Sequence, residues 1–163
     1  MSHRNEPIIL VVDPCKLSIT ATSAILYYKN YDVHAVANHG AAIKAARELN
    51  IDLILCDEIV GDTSGPELVS EILQIPGRSQ VPAMFSSSRQ MAGVIRRTHE
   101  FGSTFHLRKP FDANVLLELV GKELWMPHLV HSHINQPHFK LAPGAKLMPT
   151  ATFPNTMTSQ PAF

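Results

Sequence analysis

The sequence predicts a doubly wound α/β fold, in which helices cover both faces of one parallel sheet. Short apolar runs rich in β-branched residues alternate with stretches whose apolar residues recur at helical spacing. This alternation repeats five times within residues 1–126. Of the 163 residues, 45% are hydrophobic and 17% are charged, which suffices for one sizeable core. We therefore expect a (βα)5 three-layer sandwich with right-handed crossovers.

Five short segments have the composition of strands. The first and third are continuous apolar runs, which are typical of strands covered on both faces. A parallel sheet built from them would bury these runs between two helical layers. The predicted strands are residues 8–12, 33–37, 53–56, 81–85 and 104–107.

The intervening segments have helical spacing. Pro66 suits the first turn of the third helix, and Asp112 is expected to cap the last one. The fourth helix is predicted over residues 91–101 and is ended by Gly102. The first helix has an apolar stripe that predicts its core-facing side. That stripe consists of Leu17, Ala21, Ala24, Ile25 and Tyr28.

Composition changes after residue 126. The 37 residues of segment 127–163 hold six of the twelve prolines and four of the nine histidines, but only two charges. Prolines at this density interrupt any helical or strand period. We therefore predict a domain over residues 1–126 and an irregular, Pro- and His-rich tail over 127–163. The tail histidines have no acids or cysteines near them, which favours chance clustering over a metal site.

Composition also limits the kinds of partner. Fourteen basic and fourteen acidic residues balance, so no electrostatic footprint for nucleic acid or an anionic membrane is expected. The apolar runs are too short to cross a bilayer, and the polar first residues lack a signal-peptide pattern. Cys15 and Cys56 allow no disulfide framework, and we expect both to be small buried side chains in a cytoplasmic protein.

Reactive residues follow four of the predicted strands. Asp13 and Asp57 end the first and third, the run 86–88 of three serines ends the fourth, and Lys109 ends the fifth. Sites of open parallel sheets lie just beyond the carboxyl ends of strands. Two adjacent carboxylates repel unless a cation lies between them, which suggests Mg2+. With a hydroxyl and an ammonium group opposite, the set suits acceptance of a phosphoryl group.

Four motifs carry a resemblance to a known family. They are Ile-Leu-Val-Val-Asp at 9–13, Asp-Leu-Ile-Leu-Cys-Asp at 52–57 with Gly65 eight positions on, Val-Pro-Ala-Met-Phe-Ser-Ser at 81–87, and Lys-Pro-Phe at 109–111. In this order they resemble the receiver domain of bacterial two-component response regulators, over roughly residues 7–124. The resemblance implies a flavodoxin-like fold with sheet order 2-1-3-4-5.

The resemblance also implies a role for each site residue. Asp57 would be the phosphoacceptor, and Ser87 and Lys109 would contact the phosphoryl group. Asp13, Asp57 and the backbone carbonyl of Ile59 would bind Mg2+. Asp13 is also a candidate N-cap for a helix with Pro14 at its first position. His106 stands where the family often has a switching aromatic residue, although a plain surface histidine fits equally well.

Several positions depart from the family pattern. Pro14 replaces the second of two adjacent acids, which weakens the expected Mg2+ site. Glu58 or Asp62 could substitute for the missing carboxylate. Gly61 stands where most receivers have a proline. The serines on either side of Ser87 leave the hydroxyl assignment uncertain by one residue.

The expected function is signalling by phosphorylation. The chain would accept a phosphoryl group on Asp57 from a sensor histidine kinase or phosphotransfer protein, and would then bind an unidentified downstream protein differently. It would be no enzyme beyond catalysing its own phosphotransfer and dephosphorylation. The alternative is a pseudo-receiver, an adaptor that works without phosphorylation. A haloacid-dehalogenase-like phosphatase is rejected because Ile59 stands where a second aspartate is needed, and the loop after the first strand is poorly suited to flavin phosphate.

Overall fold

The computed structural model describes residues 6–88 and 105–134, with side chains as far as residue 125. Its helices are α1 (Lys16–Tyr28), α2 (His39–Glu48), α3 (Gly65–Leu73) and α4 (Ala113–Ile134). Its strands are β1 (Ile8–Val12), β2 (Asp32–Val36), β3 (Leu53–Asp57), β4 (Ile59–Val60), β5 (Thr63–Ser64), β6 (Ala83–Ser87) and β7 (His106–Arg108). The helix predicted over residues 91–101 and its end at Gly102 lie outside the described residues.

Five strands form one parallel sheet in the order β2-β1-β3-β6-β7. Counted without the separate β4–β5 hairpin, this is the predicted order 2-1-3-4-5, and the flavodoxin-like α/β fold is confirmed. Strand β1 lies between β2 and β3, where Val12 pairs with Val36 on one side and Cys56 on the other. The strand order therefore reverses at β1 and β3, which is where such sheets place their sites.

The core has two layers, one on each face of the sheet. Alternate residues of a strand point to opposite faces, so Leu10 and Ile54 pack with α2 and α3. Their neighbours Ile9 and Leu53 pack on the other face with Leu26, Leu116 and Val120 of α1 and α4. Burial on both faces explains why the central strands are continuously apolar, as predicted.

Helix α1 buries little of the predicted stripe, of which only Ile25 packs, partly buried, against the core. Leu17 is 80% exposed and Tyr28 81% exposed, whereas Thr22 and Leu26 are the buried positions. Almost every turn of this helix carries apolar or small residues on several sides, so spacing alone did not define its inner face. Leu26 packs against the sheet instead.

Three helix starts test the predicted caps. Pro66 lies in the first turn of α3, behind a capping box formed by Ser64 and Glu67. The backbone N–H of Asn114 donates to Asp112 Oδ1 at 2.7 Å, so Asp112 caps α4 as predicted. The N-cap of α1 is Cys15 rather than the predicted aspartate, because the helix begins two residues later than expected.

The last helix passes the predicted domain boundary. Helix α4 continues through Pro127 to Ile134, so the prediction of irregular chain from residue 127 is wrong for this stretch. Proline removes one backbone N–H, but its φ angle is compatible with a helix, and one lost hydrogen bond did not end α4. Residues 135–163 lie outside the described residues. Within the described part of the chain, no helix is long and apolar enough to cross a membrane.

Candidate functional site

The predicted site residues lie together at the carboxyl edge of the sheet. Asp13 follows β1, Asp57 ends β3, Ser87 ends β6 and Lys109 follows β7. They line one cleft of about 410 Å3, which we call the strand-end cleft. Its lining residues are Asp13, Pro14, Cys15, Ser18, Asp57, Glu58, Ile59, Ser87, Ser88 and Lys109.

Lys109 joins the two aspartates. Its Nζ atom donates to Asp13 Oδ2 at 2.5 Å and also to Asp57 Oδ2. The lysine side chain is 17% exposed. Burial by itself lowers the pKa of Lys109, but the hydrogen bonds and charges of the two carboxylates outweigh it and raise that pKa above its ordinary value. The predicted contact of two carboxylates with one ammonium group is therefore confirmed.

Asp13 is held by three donors. It is 4% exposed, and its Oδ1 atom accepts the backbone N–H of Cys15 at 2.8 Å. Its Oδ2 atom accepts the Ser18 hydroxyl at 2.5 Å in addition to Lys109. Ser18 was not among the predicted site residues. A hydroxyl residue in the first helical turn after a strand-end aspartate was the available signal, since such residues commonly bond to groups near a helix start.

The loop after Asp57 is closely packed. Asp57 Oδ1 accepts the backbone N–H of Ile59 at 3.0 Å, and the backbone N–H of Gly65 donates to the Glu58 carbonyl at 2.7 Å. A Cβ atom at Gly65 would lie 2.1 Å from the Asp57 carbonyl oxygen, so only glycine fits there. Gly61 has a φ of 64° in the β4–β5 hairpin, which the proline usual in the family could not adopt.

The three serines after β6 have different surroundings. Ser87 and Ser88 line the strand-end cleft, and Ser86, which pairs with Asp57 in the sheet, does not. Ser87 is 2% exposed, and its hydroxyl donates to Glu58 Oε2 at 2.5 Å. Glu58 was considered in the sequence analysis only as a substitute metal ligand, and its contact with Ser87 was not predicted.

Two carboxylates of the strand-end cleft are of the type that binds Mg2+. In the described part of the chain, no three acidic, histidine or cysteine side chains cluster as a metal site. Asp13 Oδ1 and Asp57 Oδ1 each accept one backbone N–H, so each keeps acceptor capacity. Mg2+ is usually held by one or two carboxylates and water, so these two aspartates fit it in type. Asp62 is exposed and does not line the cleft.

Predictions were also made for the surroundings of His106 and of the two cysteines. The His106 ring is partly buried and stacks on Phe85, with ring centroids 5.9 Å apart, so it is no plain surface residue. Cys56 is buried, and burial, helped by the nearby carboxylates, raises the pKa of its thiol. Cys15 is exposed and lines the cleft, which corrects the expectation that both thiols are buried.

Comparisons with known proteins agree with this geometry. The family model for the response regulator receiver domain matches residues 9–121. The chemotaxis protein CheY of Bacillus subtilis is 30% identical over 125 residues, which cover 76% of this chain and 99% of that protein. A probable transcriptional regulator, ycf29 of Pyropia yezoensis, is 27% identical over 106 residues, which cover 63% of this chain and 48% of that protein. This chain therefore spans about half the length of that relative.

Solved structures show the same fold. A CheY-like receiver domain protein from Methanospirillum hungatei superposes with a TM-score of 0.71 at 21% identity, covering 77% of this chain and 99% of that one. The chemotaxis protein CheY4 of Vibrio cholerae gives a TM-score of 0.69 at 21% identity, covering 72% and 98%. The family model covers most of the chain and the fold agrees with it, and the chain belongs to the response regulator receiver domain family.

Proposed function

We propose that this receiver domain accepts a phosphoryl group on Asp57 from the phosphohistidine of a sensor histidine kinase or phosphotransfer protein. One observation carries the proposal: the Asp57 carboxylate lies in an open cleft and accepts a hydrogen bond from the Lys109 ammonium group. A carboxylate placed beside a fixed positive charge is suited to attack a group whose oxygens become more negative during transfer.

The transfer is a single substitution at phosphorus. An Asp57 carboxylate oxygen attacks, and the new O–P bond forms as the P–N bond to the partner's histidine breaks. The electron pair stays on the imidazole, which leaves neutral because its other nitrogen carries a proton. A Mg2+ ion held by Asp13, Asp57 and the Ile59 carbonyl would neutralise charge on the phosphoryl oxygens. Later, water attacks the phosphorus, the Asp57 O–P bond breaks, and inorganic phosphate and a proton leave, which restores the carboxylate. These two steps are the only catalysis proposed.

Lys109 and Ser87 respond to the new charge. Lys109 contacts Asp13 as well as Asp57, so its ammonium group can turn to a phosphoryl oxygen and keep its contact with Asp13. The hydroxyl of Ser87 is the neutral donor at the end of β6, the strand next to that of Asp57. His106 packs on Phe85 two residues before Ser87, and we propose that it changes position when Ser87 engages the phosphoryl group.

The output is altered binding to a downstream protein. A phosphoryl group adds negative charge to the cleft, and the strand ends that contact it adjust the neighbouring surface. The balanced charge of the chain supports a protein partner over nucleic acid or a membrane surface.

The test is direct phosphorylation. The protein is incubated with Mg2+ and acetyl phosphate, and intact-mass measurement should show one added phosphoryl group. The Asp57→Asn variant should show none, while Asp62→Asn, which removes an exposed carboxylate outside the cleft, should be modified like the unchanged protein. A chain that stays unmodified by small donors and by histidine kinases would refute the proposal and leave the adaptor function.

A further inference from the structure

Glu58 is the third carboxylate of the strand-end cleft and has a defined partner there. It directly follows Asp57, is partly buried, and accepts the Ser87 hydroxyl at 2.5 Å. Hydrogen bonds from a hydroxyl to an ionised carboxylate are short and about twice as strong as neutral ones. Ser87 is 2% exposed, so the donor side of this bond is shielded from water, whereas the Glu58 carboxylate lines the cleft.

The backbone of Glu58 is fixed on both sides. Its N–H donates to the Ser86 carbonyl at 2.9 Å, and its carbonyl accepts the Gly65 N–H at 2.7 Å. These bonds tie it to the end of β6 and to the start of α3. The side chain therefore reaches Ser87 from a well-positioned backbone, which lowers the entropy lost in holding that contact.

Among the residues that the structure describes, the charges in the cleft are unequal in number. Asp13, Asp57 and Glu58 line it together with one ammonium group, that of Lys109. Lys109 donates to the two aspartates, and Ser87 donates to Glu58. The Glu58 carboxylate thus accepts a hydrogen bond from Ser87. In the proposed function, the same hydroxyl donates to a phosphoryl oxygen. A serine hydroxyl has one proton to donate, so an incoming phosphoryl oxygen and the Glu58 carboxylate compete for the same hydrogen bond.

We propose that Glu58 is an internal competitor for the phosphoryl group. Before phosphorylation, its carboxylate accepts the hydrogen bond of the Ser87 hydroxyl. That hydrogen bond must break before the hydroxyl can donate to a phosphoryl oxygen. This inference rests on the proposed function and adds a residue that sets how strongly the cleft holds its ligand. Glu58 is then a positioning residue for Ser87 and no metal ligand.

The experiment measures binding of fluoroberyllate, a phosphoryl analogue, in the presence of Mg2+. The full chain is compared with Glu58→Ala and Glu58→Gln by amide NMR shifts. We expect Glu58→Ala to bind about tenfold more tightly because the competing anion is gone, and Glu58→Gln to bind with intermediate affinity. Glu48→Gln, a matched change at an exposed residue ending α2, should bind like the unchanged protein.

A second background separates competition at Ser87 from a general charge effect. In a Ser87→Ala protein, removing Glu58 should change the affinity by less than twofold, because the contested hydroxyl is absent. An undiminished gain in that background would overturn the inference in favour of simple repulsion. Thermal unfolding of each variant checks that all compared proteins are folded.

The remaining outcomes distinguish this inference from the proposed function. If the unchanged protein binds fluoroberyllate and both Glu58 variants bind it with the same affinity as the unchanged protein, the inference fails and the proposed function stands. If the Glu58 variants lose Mg2+ affinity to the same extent as an Asp13→Asn variant, Glu58 is a metal ligand and the inference is again overturned. If neither the unchanged protein nor any variant binds the analogue, both proposals fall.

Discussion

The central strands are apolar and buried along their length, whereas the residues at their ends are charged. Every residue of Ile8–Val12 is buried and apolar, as are residues 53–56 of β3, yet each run is followed directly by an aspartate. The strand middles bury area on both faces and hold the backbone in place. The strand ends use that rigid backbone to hold carboxylates near one another, which a flexible loop could not do. Stability and chemistry are thus separable along the same strands.

The largest expected loss of stability comes from a substitution in the buried middle of a strand. Leu10→Ala removes a fully buried side chain from β1 and should lower the free energy of unfolding by about 2–5 kcal/mol. Leu17→Ala, the same change at an exposed site of α1, should cost less than about 0.5 kcal/mol. Urea unfolding of both variants measures the difference. Equal losses would mean that α1 buries the stripe that spacing predicted.

The next effect lies where the core meets the cleft. Gly65→Ala would press a Cβ atom against the Asp57 carbonyl, and we expect it to cost about 2–3 kcal/mol and to displace the phosphoacceptor loop. Gly121→Ala is the matched control because nothing lies within 4 Å of its added methyl group in α4. There the change should stabilise by about 0.5–1 kcal/mol, since alanine favours helices. Thermal unfolding distinguishes the two, and a tolerated Gly65→Ala would contradict the close packing.

The strand ends were predictable because topology alone brings them together. Asp13 and Asp57 each end an apolar run, Lys109 follows the last predicted strand, and the carboxyl ends of parallel strands meet at one edge. The contacts of Ser18 and Glu58 were not predictable, because they depend on which way a side chain turns once the backbone is formed. The same limit applies to α1, where packing against the sheet chose the buried face among several apolar ones.

The ion pairs of the cleft should make the free energy of unfolding depend on pH. The raised pKa of Lys109 means that the folded protein holds this proton more tightly than the unfolded chain. Its stabilisation is complete below the ordinary value of 10.5 and is lost as pH rises beyond that towards the raised pKa. Lys109→Met should cost about 1–2 kcal/mol at pH 7 and should remove this alkaline loss.

Urea unfolding between pH 7 and 11.5 measures that dependence. The unchanged protein should lose stability more steeply above about pH 10.5 than the Lys109→Met variant does. Lys122→Met, at an exposed lysine paired with Glu118, serves as the control and should keep the steep alkaline loss. Parallel curves for Lys109→Met and the unchanged protein would show that the cleft ion pairs do not contribute to folding.

The smallest expected effect separates a structural carboxylate from the reactive ones at the same edge of the sheet. Asp112 lies three residues after Lys109, but its Oδ1 atom accepts the Asn114 N–H and so caps α4. Asp112→Ala should cost about 1 kcal/mol of unfolding free energy, because a backbone N–H loses its partner. Phosphorylation of Asp57 by acetyl phosphate should keep its rate, since Asp112 does not line the cleft. A large loss of phosphorylation in a folded Asp112→Ala protein would mean that the start of α4 positions Lys109, and the division between supporting and reactive carboxylates would then fail at this point.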